Sequence, residues 1–305
     1  MDIEKVKKIF EINDLVEPNS VKKIEVGFTN KVYSVDDKYI LKVCDDEGNE
    51  YRMAREVYLY KLFSPSIPVP EVIIYDTSKS IFDKHYVVYP RIKGENLYNV
   101  WHKMDEHERK QIVKELCNHL RAINETPYND FVEKFDVDIS KSWREIVVDK
   151  INVSLEKLKQ ENTLVDEVIL GVRDFVEKHQ SVLDEAKMAF VHWDTHFDNV
   201  LVEDGKIVAM LDFERIEVSS IDYVLDIVKR MQELPSKYMS EYAEQFVKDE
   251  DYAHLIDWFR EYAPELFAFN NLNRRLDLYA LRHDLDTLTW YPEADELKES
   301  IEKMV

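Results

Sequence analysis

The hydrophobic pattern of the chain changes near residue 90, and this change limits the folds that the chain can adopt. From about Ile24 to Tyr89 the apolar residues come in short runs typical of strands, interrupted by one helical pattern from Glu47 to Phe63. After Gly94 the pattern is that of long amphipathic helices. The sequence therefore predicts an α+β protein, with a small N-terminal antiparallel sheet and one helix in residues 1–91 and a large, mostly helical part in residues 92–305. The predicted helices of the second part are 107–123, 143–160, 165–179, 221–234 and 274–290.

The excess of acidic residues limits the kinds of molecule that this protein is expected to bind. The 305 residues include 41 Lys and Arg against 62 Asp and Glu, a formal net charge of -21. A protein that binds nucleic acid needs basic residues to replace the phosphate counterions, so no nucleic-acid partner is expected. The acidic surplus suits a cationic small molecule, although solubility alone would also explain it.

Neither the start of the chain nor its apolar content indicates export or membrane insertion. The first residues lack the apolar core of a secretory signal, and no apolar stretch is long enough to span a bilayer. The two cysteines, Cys44 and Cys117, cannot form a disulfide framework. A cytoplasmic protein without a membrane partner is expected.

One strand-like segment, residues 190–213, interrupts the helical part. Its Asp204-Gly205 pair between two apolar runs predicts a tight hairpin. Such a hairpin makes neighbours of Asn199, before its first strand, and Asp212, after its second. Amide and carboxylate oxygens suit Mg²⁺, which takes one or two protein ligands together with substrate phosphates. Asp194, shortly before Asn199, stands where a base that accepts an alcohol proton would lie.

The order of these residues resembles a kinase catalytic loop. His192, Asp194 and Asn199, followed by a hairpin and then Asp212, are similar to the aminoglycoside phosphotransferase family, small-molecule relatives of the protein kinases. The resemblance extends over about residues 20 to 290 and implies a bilobal, protein-kinase-like fold.

Two departures from the family pattern are visible. Trp193 stands where the family usually has glycine between the histidine and the aspartate. The Gly-Asp-Pro segment and further aspartate that often follow the metal ligand become Ser219 to Asp222 and then Asp226, with a two-residue insertion. These departures weaken assignment to a subfamily but leave the residues for phosphate chemistry in place.

The resemblance implies nucleotide-binding roles in the N-terminal part. Lys42 corresponds to the lysine that contacts the α- and β-phosphates, and it lies in an apolar strand. Glu56 is expected to pair with this lysine, with Glu50 as the rival candidate. Gly27 and Thr29 lie in the turn that would cover the phosphates, although one glycine does not make a Gly-rich loop.

The segment from Val87 to Gly94 resembles the family's hinge, where the nucleotide base bonds to the backbone. Pro90 has no N–H, so the donors are expected from its neighbours, among them Arg91 and Ile92. The Ile-Lys-Gly ending is similar to the branch that modifies the 2″-hydroxyl of aminoglycosides. In that alignment Tyr89 is the gatekeeper, where a bulky ring disfavours adenine and leaves room for guanine, so GTP use is a hypothesis.

The resemblance thus predicts transfer of the γ-phosphoryl group of ATP or GTP, with Mg²⁺, to a hydroxyl of an aminoglycoside or similar cationic antibiotic. Carboxylates of the C-terminal helices would hold the acceptor, although each is as readily explained as a solvated surface charge. These carboxylates are Asp277 and Asp284 on one helix face, and Asp257 and Glu261 on another.

Two alternatives remain open at this point. A metabolic kinase for a sugar, a choline-like alcohol or homoserine would have the same catalytic residues. A nucleotide-binding pseudoenzyme is disfavoured, because Lys42, Asp194, Asn199 and Asp212 are all present and pseudokinases usually lack one of them.

Overall fold

The structure is a computed structural model that describes residues 3–24, 30–44, 48–238 and 241–305. Contacts divide the chain into two compact units, each assembled from three segments. The first unit comprises Met1–Ala122, His196–Ile216 and Ser236–Asp251, and the second comprises Ile123–Thr195, Glu217–Pro235 and Tyr252–Val305. The domain boundary expected after residue 91 stays a prediction.

A five-stranded antiparallel sheet organises the first unit. Its strands are β1 Val21–Ile24, β2 Asn30–Val35, β3 Tyr39–Cys44, β4 Ile74–Asp76 and β5 Tyr86–Pro90, in the order β1-β2-β3-β5-β4. Helix α2, Gly48–Phe63, lies in the chain between β3 and β4, as predicted. A second helix, α1 at Ile3–Ile12, was not predicted, and it buries Val6, Ile9 and Phe10 in a cluster with residues of the sheet.

The central strand β3 carries Lys42 on the face of the sheet that packs with α2. Side chains alternate between the faces of a strand. Leu41 and Val43 belong to the apolar cluster that contains α1 residues, so Lys42 between them faces the other way. On that opposite face, Cys44 and Val87 cluster with Met53 of α2.

The predicted hairpin forms in the first unit. Strands β8, Val200–Glu203, and β9, Lys206–Met210, pair antiparallel, and β6, Glu95–Asn96, joins the outer edge of β8. Asp204 and Gly205 form the two-residue turn, both with positive φ (50° and 71°), which is the conformation that Asp-Gly favours.

The remaining helices fill the rest of both units. They are α3 Leu97–Trp101, α4 Glu106–Glu125, α5 Asn129–Phe135, α6 Trp143–Gln160, α7 Asp166–His179, α8 Leu225–Glu233, α9 Glu241–Glu244, α10 Leu255–Tyr262, α11 Leu272–Trp290 and α12 Asp295–Met304. Strand β7, Met188–His192, pairs with β10, Ile216–Ser220. The core of the second unit is an apolar cluster from α6, α7, α11 and α12, within which the indole of Trp143 donates a hydrogen bond to Tyr279.

The helix spans expected from periodicity agree with those observed, apart from residues 221–234. There the chain makes a 3₁₀ turn at Ile221–Val224 before α8 begins. Within the described ranges, no helix has both the length and the apolar character needed to cross a membrane.

Candidate active site

Lys42 and Glu56 form a buried ion pair in the first unit. The Lys42 Nζ lies 2.8 Å from Glu56 Oε2, and the two residues are 8% and 1% exposed. Glu50, the rival candidate, lies on another side of α2, where its Oε1 is 2.8 Å from Lys79 Nζ. Of the two glutamates named from the sequence, Glu56 is therefore the one that contacts Lys42.

A second carboxylate, one that no sequence motif indicates, lies close to Lys42. Glu214 Oε2 is 3.7 Å from Lys42 Nζ, and the Glu214 side chain is 2% exposed. Burial by itself lowers the pKa of Lys42, but the negative charges around it, Glu56 foremost, outweigh this and raise the pKa above its usual value. Lys42 is thus a fixed positive charge at neutral pH. The only sequence signal for Glu214 was its position as a charged residue directly after the apolar Phe213.

The hairpin ends where Asn199 and Asp212 meet. The backbone N–H of Leu211 donates to the Asn199 carbonyl at 2.8 Å, so the residues flanking the two strands are held side by side. The amide nitrogen of Asn199 lies 3.4 Å from His196 Nε2. Asp212 has a left-handed backbone, with φ 59° and ψ 50°.

The donor chemistry at the hairpin end fits Mg²⁺. An amide oxygen from Asn199 and a carboxylate from Asp212 are hard ligands of the kind that Mg²⁺ prefers. Over the residues that the structure describes, no group of three or more His, Cys, Asp or Glu side chains could hold a metal by itself.

The segment that leads into the hairpin is anchored within the first unit. The Asn96 side chain donates to the Asp198 carbonyl at 2.9 Å. The Phe197 ring is fully buried and lies 4.6 Å from the Trp101 ring, centroid to centroid. Burial raises the pKa of the Asp198 carboxyl above its ordinary value.

Asp194 belongs to the second unit, two residues after β7 ends, and is half-buried. His192, at the end of β7, is fully buried. Trp193 packs in an aromatic cluster of the second unit, with its ring 6.0 Å from that of Tyr223 and 6.4 Å from that of His283. The tryptophan that replaces the family's glycine is therefore accommodated by aromatic packing.

The structure agrees with only part of what the sequence predicts for the hinge segment, Val87 to Gly94. Tyr89 is half-buried on the Lys42 face of the sheet, 6.5 Å from the Tyr60 ring. The Arg91 N–H donates to the Lys38 carbonyl at 2.7 Å, so that donor is committed to the protein and does not fit the expected role toward a base. Ile92 remains the expected donor. Gly27 and Thr29 lie outside the described residues.

Comparison with known proteins decides the family. A family model described as the phosphotransferase enzyme family, APH, matches residues 20–258. The chain belongs to this family. It is accordingly an enzyme, a phosphotransferase of the small-molecule kinase class. A comparison with curated proteins finds no match to the sequence.

Solved structures of aminoglycoside phosphotransferases share the fold of this phosphotransferase. The ADP-bound APH(2'')-Ib matches with a TM-score of 0.72 and 17% identity, over 100% of this chain and 97% of that one. The streptomycin–ATP ternary complex of APH(2'')-IIa matches with a TM-score of 0.70 and 17% identity, over 97% and 95%. The GDP and kanamycin complex of APH(2'')-IIIa matches with a TM-score of 0.68 and 14% identity, over 99% and 98%. At these identities the likeness establishes the fold, and it confirms the predicted kinase-like fold class.

The segment of this phosphotransferase that departs from the family pattern forms buried ion pairs in the second unit. Asp222 is fully buried and accepts from Arg275 Nε at 2.6 Å. Asp226 accepts from Arg230 Nε at 3.1 Å and lies 3.0 Å from His283 Nδ1. Both aspartates are thus neutralised by basic groups of their own unit.

The four acidic residues expected to bind the acceptor have different environments. Asp284 does not fit the expectation, because it is 3% exposed and its Oδ1 lies 2.8 Å from Arg230 Nη1. Asp257 and Glu261 are exposed on α10. Asp277 is half-exposed, and it lines a cavity of about 410 Å³ at the start of α11 together with Asn271 to Arg274. Helical periodicity placed Asp277 and Asp284 correctly on α11 but could not reveal that a distant arginine neutralises Asp284.

Proposed function

We propose that this phosphotransferase transfers the γ-phosphoryl group of ATP or GTP to a hydroxyl of an aminoglycoside or a similar cationic acceptor. The observation that carries the proposal is the buried Lys42–Glu56 pair, which lies in the same compact unit as the hairpin residues Asn199 and Asp212. A lysine buried at 8% exposure among carboxylates is costly unless its charge has a use, and phosphate binding is such a use.

The proposed mechanism assigns one task to each residue. Asp194 accepts the proton of the acceptor hydroxyl while the hydroxyl oxygen bonds to the γ-phosphorus and the bond to the β-phosphate oxygen breaks. Lys42 holds the α- and β-phosphates, and Glu56 fixes the direction of its ammonium group. Asn199 and Asp212 would hold Mg²⁺, which when bound neutralises the charge that develops on the phosphate oxygens. Because the transition state is loose, positioning and charge neutralisation dominate the rate.

A cationic acceptor is supported by charge and by the fold neighbours. The net charge of -21 favours the approach of an acceptor that carries several ammonium groups. Solved structures with the same fold hold streptomycin, gentamicin or kanamycin. For binding the acceptor we propose the surface carboxylates Asp257, Glu261 and Asp277. An ammonium group of the acceptor would compete there with Arg260, 3.0 Å from Asp257, and with Arg274, 3.0 Å from Asp277.

The choice between ATP and GTP depends on Tyr89 in this proposal. Burial raises the pKa of the Tyr89 hydroxyl above its usual value, so the side chain stays a neutral, bulky ring. At the gatekeeper position such a ring would disfavour adenine and admit guanine, with Ile92 as the backbone donor. Fold neighbours hold ATP in one case and GDP in another, so the fold accommodates both bases.

A coupled phosphotransfer assay tests the proposal. The purified protein is assayed with ATP and with GTP, each in the presence of Mg²⁺, against aminoglycosides, amino sugars, choline and homoserine. We expect turnover on an aminoglycoside and a loss of about 10³-fold or more in Asp194→Asn, with nucleotide binding retained. Asp198→Asn, a neighbouring turn residue, is the matched control and should stay within a few-fold of the unchanged protein.

The other outcomes discriminate between the alternatives. Turnover confined to choline, homoserine or a sugar would replace the antibiotic acceptor with a metabolic one. Nucleotide binding without turnover on any acceptor would favour the pseudoenzyme. A strong preference for ATP would contradict the proposed role of Tyr89.

A further inference from the structure

Tyr60 joins the nucleotide lysine to the proposed metal ligand through an unbroken chain of hydrogen bonds. Tyr60 lies on α2 one helical turn after Glu56 and is 3% exposed. Its hydroxyl donates to Glu56 Oε1 at 3.0 Å and accepts the backbone N–H of Asp212 at 3.1 Å. The other carboxylate oxygen of Glu56 accepts from Lys42, so the chain runs from the ammonium group to the backbone of Asp212.

Only the hydroxyl of the Tyr60 side chain can form hydrogen bonds with Glu56 and with the Asp212 N–H at the same time. A neutral phenol donates one hydrogen bond and accepts another, which a phenylalanine ring cannot do. Because the backbone N–H of Asp212 can only donate to the phenol oxygen, the proton of the Tyr60 hydroxyl points toward the Glu56 carboxylate. Without the hydroxyl, a buried carboxylate oxygen and a backbone N–H would each lose a partner.

The backbone of Asp212 is held by contacts on two sides. Its conformation is left-handed, with φ 59° and ψ 50°, a region that aspartate and asparagine enter more readily than most other residues. The hydrogen bond from its N–H to Tyr60 is one such constraint. A second is apolar, because the ring of Phe213, the next residue, lies 5.2 Å from the Tyr60 ring and 5.7 Å from the Phe63 ring.

We infer that Tyr60 is a positioning residue that fixes Asp212 relative to the Lys42–Glu56 pair. With this relation fixed, Lys42 and Asp212 act on the same nucleotide and its Mg²⁺. This inference rests on the proposed function. Tyr60 would touch neither substrate nor metal, and its effect would pass through Asp212. Sequence periodicity places Tyr60 on the buried face of α2, where it reads as an ordinary core residue.

A purely structural role predicts a different set of results. A core residue that only stabilises the fold would, when altered, weaken nucleotide binding equally with and without Mg²⁺. A residue that positions Asp212 would weaken the Mg²⁺-dependent part alone, because Lys42 keeps its direct contact with Glu56.

The test compares Tyr60→Phe with the unchanged protein by two measurements. The first is amide hydrogen exchange of Asp212 in the protein without nucleotide, which should become faster in Tyr60→Phe. The second is the dissociation constant of a fluorescent ADP, measured without Mg²⁺ and over a series of Mg²⁺ concentrations. We expect the Mg²⁺ midpoint to rise by about five- to twentyfold, as for the loss of a buried hydrogen bond, and the Mg²⁺-free affinity to change less than about twofold.

Tyr86→Phe is the matched control. Tyr86 is 1% exposed and belongs to the first unit, and Asp76 lies opposite it on the neighbouring strand β4. Its ring lies in the apolar cluster on the other face of the sheet. This variant should lower stability and leave the Mg²⁺ midpoint unchanged. An unchanged midpoint in Tyr60→Phe, or an equal shift in both variants, would overturn the inference and leave the proposed function intact. If the unchanged protein shows no Mg²⁺-dependent nucleotide binding, the proposed function fails and the inference fails with it.

Discussion

Lys42 and Glu56 lie 2.8 Å apart on neighbouring elements, a central strand and the helix that follows it, with almost no exposure to solvent. Burying two opposite charges costs desolvation energy that their mutual attraction only partly offsets. The pair is therefore a weak source of stability. Its location beside Glu214, with Tyr60 linking it to the backbone of Asp212, points to a use in binding. A change to either partner should affect activity more than it affects folding.

Replacing Glu56 with glutamine should lower turnover by about 10²-fold, as when one preorganised electrostatic contact is removed. The glutamine keeps the shape of the side chain but cannot hold the ammonium charge, so Lys42 would turn toward Glu214, which is 3.7 Å away. Steady-state kinetics at saturating nucleotide measure the effect. Glu50→Gln, on the Lys79 side of the same helix, is the control and should stay within about twofold. A Glu56→Gln enzyme that matches the control would remove Glu56 from the proposed site.

Asp212→Asn should raise the Mg²⁺ requirement by more than about tenfold and lower turnover by about 10³-fold, because an amide is a weaker metal ligand than a carboxylate. Asparagine tolerates the left-handed backbone at φ 59°, so the fold should be kept. Activity is measured against Mg²⁺ concentration, with chelation by EDTA as the zero point.

Asp204→Asn offers the matched control for that experiment. Asp204 also has a left-handed backbone, φ 50°, but it lies in the turn at the far end of the same hairpin. Its Mg²⁺ dependence should equal that of the unchanged enzyme. An equal loss in both variants would mean that the hairpin, rather than the Asp212 carboxylate, had been disturbed.

Gly94→Ala should destabilise the protein by about 2 to 3 kcal/mol, through backbone strain and overpacking together. Gly94 has φ +143°, and a Cβ there would lie 2.8 Å from Val208 Cγ2 in β9. Urea unfolding measures the change. Gly205→Ala is the control, since it also has positive φ (+71°) but nothing within 4 Å of a Cβ, and it should cost about 1 kcal/mol. A Cβ at residue 94 would also lie 3.2 Å from the carbonyl oxygen of Val202, so the double variant Gly94→Ala/Val208→Ala should recover only the part of the loss that is due to Val208. No recovery would exclude the Val208 clash as a cause.

The ionised carboxylate of Asp226 should stabilise the second unit at neutral pH, and this contribution to the free energy of unfolding should be lost at acid pH. Burial alone raises its pKa, but Arg230 and His283 outweigh this and hold the pKa of Asp226 below its ordinary value of 3.8. A carboxyl whose pKa is lower in the folded state contributes stability above its unfolded pKa and loses it as the pH falls through the folded pKa. Asp226→Asn should therefore cost about 3 kcal/mol at pH 7 and progressively less below about pH 4.

Denaturant unfolding between pH 7 and pH 3 measures this difference. Asp149→Asn is the control, because the Asp149–Lys141 pair is half-exposed on both sides, so solvent screens the attraction and the substitution should change stability little at any pH. A cost for Asp226→Asn that stays constant down to pH 3 would contradict the assigned cause.

Local pattern was enough to predict much of the fold. The Asp204-Gly205 turn, the strand around Lys42 and the span of α2 each depend on residues close in sequence, whose periodicity or turn chemistry is visible without tertiary contacts. The long helices followed from the same rule. Helix α1 was not predicted, because its apolar residues Val6, Ile9 and Phe10 are buried against the sheet, and that contact is not visible in the sequence.

Within the candidate site, the sequence supplied the residue types and their order, and the tertiary structure supplied their partners. Because Glu214 is charged, it would be expected at the surface, yet it is buried beside Lys42. The spacing of Asp284 predicts that it belongs to an acidic helix face, yet Arg230 neutralises it. The Arg91 N–H is predicted to donate to the nucleotide base, yet it donates to the Lys38 carbonyl.

By itself the sequence determined the family's motif, the fold class and the position of the hairpin, because these follow from short-range spacing along the chain. Only the tertiary structure decided which glutamate meets Lys42, and that Tyr60 connects this pair to the backbone of Asp212. The physical reason is that burial and hydrogen-bond partners depend on segments far apart in sequence, and a side chain's charge or hydroxyl acquires its role from whatever the fold brings against it.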